Sequence, residues 1–275
     1  MTAVASNVDT RLLRPVRWSE MTSEEIGTRF ADDHDAVGLV PVGATEQHGP
    51  HLPTGTDTII ASAICDAVST ETGAPVLPAI PIGCSFGHGT LIPGTLSLTP
   101  ELLADTVRSV AEWAAHSGLR KLIFVNGHFG NAAALGVATD HIRLERTDLR
   151  AGFLGWWDGD GAMASEVFSD GRDVHANRAE TSLMLAVAPD LVHLDRLESA
   201  DDPDRTEGLV FRYTATELST NGVTGEPSKA SLALGEMLFA HAVDVVSWHV
   251  NAGRDERPPL DRIQAPSPTT IGHSG

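Results

Sequence analysis

Basic side chains are scarce in this sequence. Lysine and arginine together number 19 against 37 aspartates and glutamates, for a formal net charge of −18. Nucleic acids and anionic membranes are polyanions that such a field repels, so neither is expected as a partner. Cysteine is rarer still: Cys65 and Cys84 are too few for a disulfide framework and too far apart for a close-spaced metal pair, and are read as packed thiols. No stretch approaches the roughly 18 apolar residues of a spanning helix. The first twenty residues lack a basic segment followed by an apolar run, so the protein is expected to stay in the cytoplasm. No G-x-G-x-x-G lies between a strand and a helix, which counts against dinucleotide binding.

What remains suits a globular fold. Hydrophobic residues make up 41% of the 275 and charged ones 20%, enough to bury a core. The order of elements predicts one α/β domain of three layers, α/β/α, with a mainly parallel sheet over residues 1–253. Residues 37–42 (VGLVPV) read as a buried strand and 58–68 as a helix, with Asp57 or Thr58 as its cap. Residues 76–82 (VLPAIPI), broken by prolines, read as an edge segment. Then come a helix over 100–116 capped by Thr99, a strand over 121–125, a tight loop over 126–131 and a helix over 132–145. A strand over 149–156 and helices over 179–188 and 232–251 complete the pattern. The proline-rich polar segment 254–275 is expected to be a mobile tail, and the acidic run at Asp201, Asp202 and Asp204 a solvated loop.

Twelve histidines stand out, because several sit beside carboxylates in glycine-rich segments. In an open parallel sheet, ligands bind where loops leave the carboxyl ends of the strands. The loop after the first expected strand carries Glu46, His48 and Asp57; the next carries His128; a third segment carries His175 and Glu180 at a helix start. Carboxylates and imidazoles together suit Zn, Mn or Fe, and a set this large suits a pair of such ions. Taken singly, Asp57 is equally a helix cap, Glu180 a first-turn dipole residue and His175 a turn histidine. Their convergence on one sheet edge favours metal binding.

Residues 41–57 (PVGATEQHGPHLPTGTD), 123–131 (IFVNGHFGN) and 175–184 (HANRAETSLM) resemble the signature segments of the creatininase, or creatinine amidohydrolase, family. Weaker similarity covers 82–98 (IGCSFGHGTLIPGTLSL) and 222–231 (GVTGEPSKAS), so the resemblance spans roughly residues 35–250. It implies a homohexamer whose dinuclear metal centre hydrolyses amide-type C–N bonds of a small molecule. Residue by residue, it makes Glu46 and His128 ligands of one ion, His48 and Glu180 ligands of the other, Asp57 the bridging carboxylate, and His175 a catalytic histidine on the substrate side. Water bridging two divalent ions loses a proton near neutral pH, which yields hydroxide without a strong base, and His175 then protonates the departing nitrogen.

Creatinine-hydrolysing relatives carry glutamates where this chain has Gly130 and Val174, so creatinine is expected to be a poor substrate. A formamide, a cyclic amide or a short precursor peptide remain open, the last as a peptidase reading, and a catalytically silent binding relative is the competing class. Gly127 and Gly130 either make room for a ligand or form an ordinary turn. His51 and His88 lie in segments similar to the family's pocket wall, and Trp156 with Trp157 forms either a pocket cover or a core or interface pair.

Overall fold

The structure, a computed structural model, describes residues 14–88 and 92–260. Strands β1 (Val16–Arg17), β2 (Val37–Val42), β3 (Pro75–Val76), β4 (Lys121–Asn126) and β5 (Arg150–Gly155) form one sheet in the order β1-β3-β2-β4-β5. Each neighbouring pair is parallel, so the chain must cross over between strands, and helices make the main crossings. The helices are α1 (Ser23–Asp32), α2 (Thr56–Thr72), α3 (Pro100–His116), α4 (Ala132–Glu145), α5 (Gly161–Val167), α6 (Arg178–Val187), α7 (Leu197–Ala200), α8 (Ala215–Leu218) and α9 (Leu232–Asp255).

Alternation along the central strands builds the three layers. Val37 and Leu39 of β2 and Val125 of β4 join a core with Ile60 and Ile64 of α2, Leu183 of α6 and Val246 of α9. Val40 and Val42, with Leu122 and Phe124, point the other way into a second core with Phe30 of α1, Leu103 and Val107 of α3 and Leu135 of α4. Both faces are covered, which is why these strands read as unbroken apolar runs.

Several boundaries differ from the sequence expectations for local reasons. Helix α2 begins at Thr56 behind Gly55, without a side-chain cap, so Asp57 lies in the first turn with its carboxylate free of capping duty. The segment 76–82 is not an edge: β3 pairs with β1 on one side and β2 on the other. Its prolines limit regular pairing, yet Ile80 N–H still reaches Pro41 O at 2.9 Å. Strand β1 and helix α1, closed by a capping box between Thr22 and Glu25, were not anticipated.

Helix α9 runs past the expected tail boundary to Asp255. Arg254 pairs with Asp33 at 2.8 Å and Arg257 with Asp35 at 2.9 Å, which ties the start of that segment to the body. Residues 261–275 of the expected tail lie outside the described residues. The acidic run is not solvated throughout: Asp202 is buried, where it takes Arg205, the Ser219 hydroxyl and Thr220 N–H and draws together the loop before Gly222.

Candidate metal centre

The carboxyl ends of β2 and β4 lie side by side, with Val42 in register with Asn126. The loops that leave them carry Glu46, His48 and His128, and the first turn of α2 brings Asp57 back to the same edge. Gly127 makes this approach possible. A Cβ at that position would stand 2.2 Å from the Asp57 carbonyl oxygen, so any side chain would push α2 away from the β4 loop. The third segment enters through a short antiparallel bridge between His175 and Thr224. Ala176 then turns with a φ of 51°, an unusual conformation for a residue with a Cβ. That turn aims Ala176 N–H at Glu180 Oε2, 2.6 Å away in the first turn of α6.

All five expected ligands meet at this edge, and each is buried. His48 Nε2 lies 3.2 Å from Asp57 Oδ1, and His128 Nδ1 lies 3.2 Å from Glu46 Oε1 and 3.6 Å from Asp57 Oδ2. Ligand atoms of Glu46, His48 and Asp57 fall within 4.8 Å of one another, as do those of His48, His175 and Glu180. His175 also stands beside these potential ligand atoms, with Nδ1 3.4 Å from Glu46 Oε1.

The donor set fits divalent cations. Both carboxylate oxygens of Glu46, Oδ2 of Asp57 and Nε2 of His48 are buried without a hydrogen-bond partner, a costly arrangement unless an ion satisfies them. Among the described residues no lysine or arginine pairs with Glu46, Asp57 or Glu180. Burial pushes the carboxyls of Glu46 and Glu180 above their ordinary range, and the charge of Asp57 adds to the effect against the pull of His128 on Glu46 and of His48 on Glu180. Burial alone would lower His48, but Asp57, Glu180 and Glu46 outweigh it and raise the imidazole to about 10. An excess of buried negative charge that holds protons this firmly also attracts metal cations.

Outer contacts hold the imidazoles in place. His48 Nδ1 faces the Glu46 carbonyl at 3.1 Å, His128 Nε2 the Cys84 carbonyl at 2.9 Å and His175 Nε2 the Gln47 carbonyl at 2.6 Å. Since only an N–H can bond a carbonyl, the inward nitrogen of each neutral ring carries a lone pair, the orientation a metal ligand needs. Burial, reinforced by neighbouring imidazoles, keeps His175 well below its ordinary value and brings His88 down to about 3.

His51 does not join the group. It is buried under α6 with Nε2 2.8 Å from the Thr181 hydroxyl, which is a packing role. Trp156 is a core residue at 1% exposure, and Trp157 lies against Phe129 with ring centroids 3.9 Å apart and the planes tilted by 31°. Gly130 makes room for the His128 anchor: a Cβ there would stand 2.4 Å from both Cys84 O and His128 Nε2. Sequence reasoning underweighted His88, whose Nε2 is 3.3 Å from Glu46 Oε1, and passed over Gln47. The one available signal was the position of Gln47 between two ligands of a single loop.

Over residues 19–250 the chain matches the creatininase family, described as creatinine amidohydrolase. The chain belongs to the creatininase family. It is similar to the mycofactocin precursor peptide peptidase of Mycobacterium ulcerans (strain Agy99), 38% identical over 221 residues that cover 75% of this chain and 81% of the relative. It is also similar to the creatinine amidohydrolase of Pseudomonas putida, 33% identical over 257 residues, 87% of this chain and 96% of the relative. A solved mutant creatininase of Zn-Zn type superposes with a TM-score of 0.75 at 30% identity, covering 88% of this chain and 99% of that one. A solved manganese creatininase superposes with a TM-score of 0.75 at 29% identity, covering 88% and 100%. The three-layer architecture with its parallel sheet is thus the creatininase fold, and this family member is a hydrolase.

Proposed function

We propose that this creatininase-family hydrolase cleaves an amide-type C–N bond at a centre of two divalent ions, zinc or manganese. The supporting observation is the set of unpartnered buried oxygens on Glu46 and Asp57 beside inward-facing imidazole nitrogens. Glu46, Asp57 and His128 would hold one ion, and His48, Asp57 and Glu180 the other. Bound there, such ions supply Lewis acidity that polarises the amide carbonyl and lowers the pKa of water.

The remaining chemistry falls to His175. Its Nε2–H is committed to the Gln47 carbonyl, so Nδ1 is free to accept a proton from the attacking water and deliver it to the departing nitrogen. Without that proton the nitrogen would leave as an amide anion, a poor leaving group. Ala176 N–H fixes the Glu180 carboxylate and so couples the turn beside His175 to the second ion position. A homohexameric assembly and a cytoplasmic location accompany this reading.

Small neutral amides, including formamides and cyclic amides, are the first substrate class. Gly130 and Val174 remove the carboxylates that would balance creatinine's cationic part, and unpaired burial of that charge is costly. A second reading, trimming of a short peptide, is favoured by the 38% identity to a precursor peptide peptidase. The test is to strip the protein with a chelator, reload it with zinc or manganese, and present cyclic amides, formamides, short peptides and creatinine. Hydrolysis should vanish with the metal and return on reloading, with creatinine the weakest. Full activity in protein that elemental analysis finds free of transition metal would overturn the proposal.

A further inference from the structure

Four imidazoles surround Glu46 and Asp57, and three of them share a wiring that the fourth reverses. His48, His128 and His175 each give their outer N–H to a backbone carbonyl. The outer nitrogen of His88, Nδ1, instead faces the side-chain nitrogen of Gln47 at 3.0 Å.

The identity of that Gln47 atom follows from its other contacts. Gln47 Nε2 is 2.9 Å from the Gly222 carbonyl, which can only accept, and Gln47 Oε1 is 3.0 Å from Gly49 N–H, which can only donate. Turning the amide over would set oxygen against oxygen at Gly222 and N–H against N–H at Gly49. The amide is therefore locked with its nitrogen toward His88. Nδ1 of His88 must accept, and the ring's one proton sits on Nε2, the nitrogen 3.3 Å from Glu46 Oε1.

We infer that His88 is a positioning residue that Gln47 holds in the Nε2–H tautomer, with that proton turned toward Glu46 Oε1, and that it is not a metal ligand although its ring stands at ligand distance. The inference rests on the proposed role of Glu46 as a ligand. A protonated ring nitrogen has no lone pair for a cation. To coordinate, His88 would have to move its proton to Nδ1 and press it against the Gln47 amide N–H. Glu46 Oε1 also faces His128 and His175, whose inward nitrogens carry lone pairs when the rings are neutral, the form in which a ring can bind a cation. His88 turns its N–H toward that oxygen from 3.3 Å without closing a hydrogen bond, and so biases the direction in which the carboxylate presents its lone pairs. Gln47 lies between Glu46 and His48, so one residue sets the tautomer of a ring whose N–H faces its own chain neighbour.

The test reads the tautomer directly. Protein labelled with 15N in its histidine rings is examined by long-range 1H–15N correlation, without metal and after loading with 113Cd, and His88 is assigned through its loss in His88→Gln. The expected result is a protonated Nε2 and an unprotonated Nδ1 on His88 in both states, with cadmium couplings on His48 and His128 and none on His88. A proton on Nδ1, or a cadmium coupling to the His88 ring, would overturn the inference. Metal affinity provides the second measurement. His88→Ala should lose roughly 10- to 100-fold in affinity or turnover, as outer partners of ligands do, and His88→Gln, which keeps an N–H near the Nε2 position, should recover most of it. A glutamine variant as impaired as the alanine variant would count against a donor role. If the protein takes up no cadmium, the proposed hydrolase centre fails, while the tautomer of the metal-free protein still decides the inference about His88.

Discussion

Asp57 meets two imidazoles with two different oxygens, Oδ1 toward His48 and Oδ2 toward His128, so it spans both proposed ion positions. Asp57→Ala should therefore be the most damaging single ligand change, abolishing hydrolysis and removing bound metal as read by elemental analysis. His175→Ala should behave differently. Its proposed work is proton transfer, so turnover should drop roughly 10²- to 10⁴-fold while metal content stays at the wild-type level. Loss of metal in that variant would assign His175 to the ligands it stands among. Gly130 shows why restoring a family glutamate is not a simple repair. Any Cβ at this position collides with the contact between His128 and the Cys84 carbonyl, so the substitution would disturb a proposed ligand before adding one.

At the scale of elements, the site depends on how segments are tied to one another. The loop before Gly222 is gathered around Asp202, which receives Arg205, the Ser219 hydroxyl and Thr220 N–H, and Gly222 in turn receives the Gln47 amide. Burial alone would raise the Asp202 carboxyl, but Arg205 and the loop donors outweigh it and hold it at about 2. The folded value lies below the unfolded one of about 3.9. The stability Asp202 contributes is accordingly full above about pH 4 and lost as pH falls toward about 2. Asp202→Ala should cost roughly 1.5–3 kcal/mol near neutral pH, since hydrogen bonds to a charged group are lost. Denaturant curves of variant and wild type should converge as the pH is lowered through that window. A constant gap down to pH 2 would show that Asp202 carries no such linkage.

For the whole molecule, the net charge of −18 and the proposed assembly bear on each other. Exposed Trp113, Trp248 and Met237 place apolar surface outside the cores, and an oligomer is expected to cover part of such surface. Light scattering should report a hexamer at micromolar concentration, and a monomer would count against it. The described helices include none long and apolar enough to cross a membrane.

The central strands and the helices over 100–116 and 132–145 were legible in the sequence because periodicity and caps are local. The creatininase likeness was legible for a related reason: the segments that carry it are short and continuous in the chain. The five expected ligands could thus be named before any fold was known. Their roles were less accessible. Whether Asp57 caps a helix or faces two imidazoles was decided by where α2 starts and by the close pass of Gly127. That His51 packs under α6 and His88 faces Glu46 follows from how the loops close. The tautomer of His88 needed contacts between Gln47, Gly49 and Gly222, residues up to 175 positions apart. Residue types and local spacing determine which atoms can bind a metal. Only tertiary contacts between distant backbone groups decide which lone pairs and protons face the centre, because a hydrogen bond's direction is set by both of its ends.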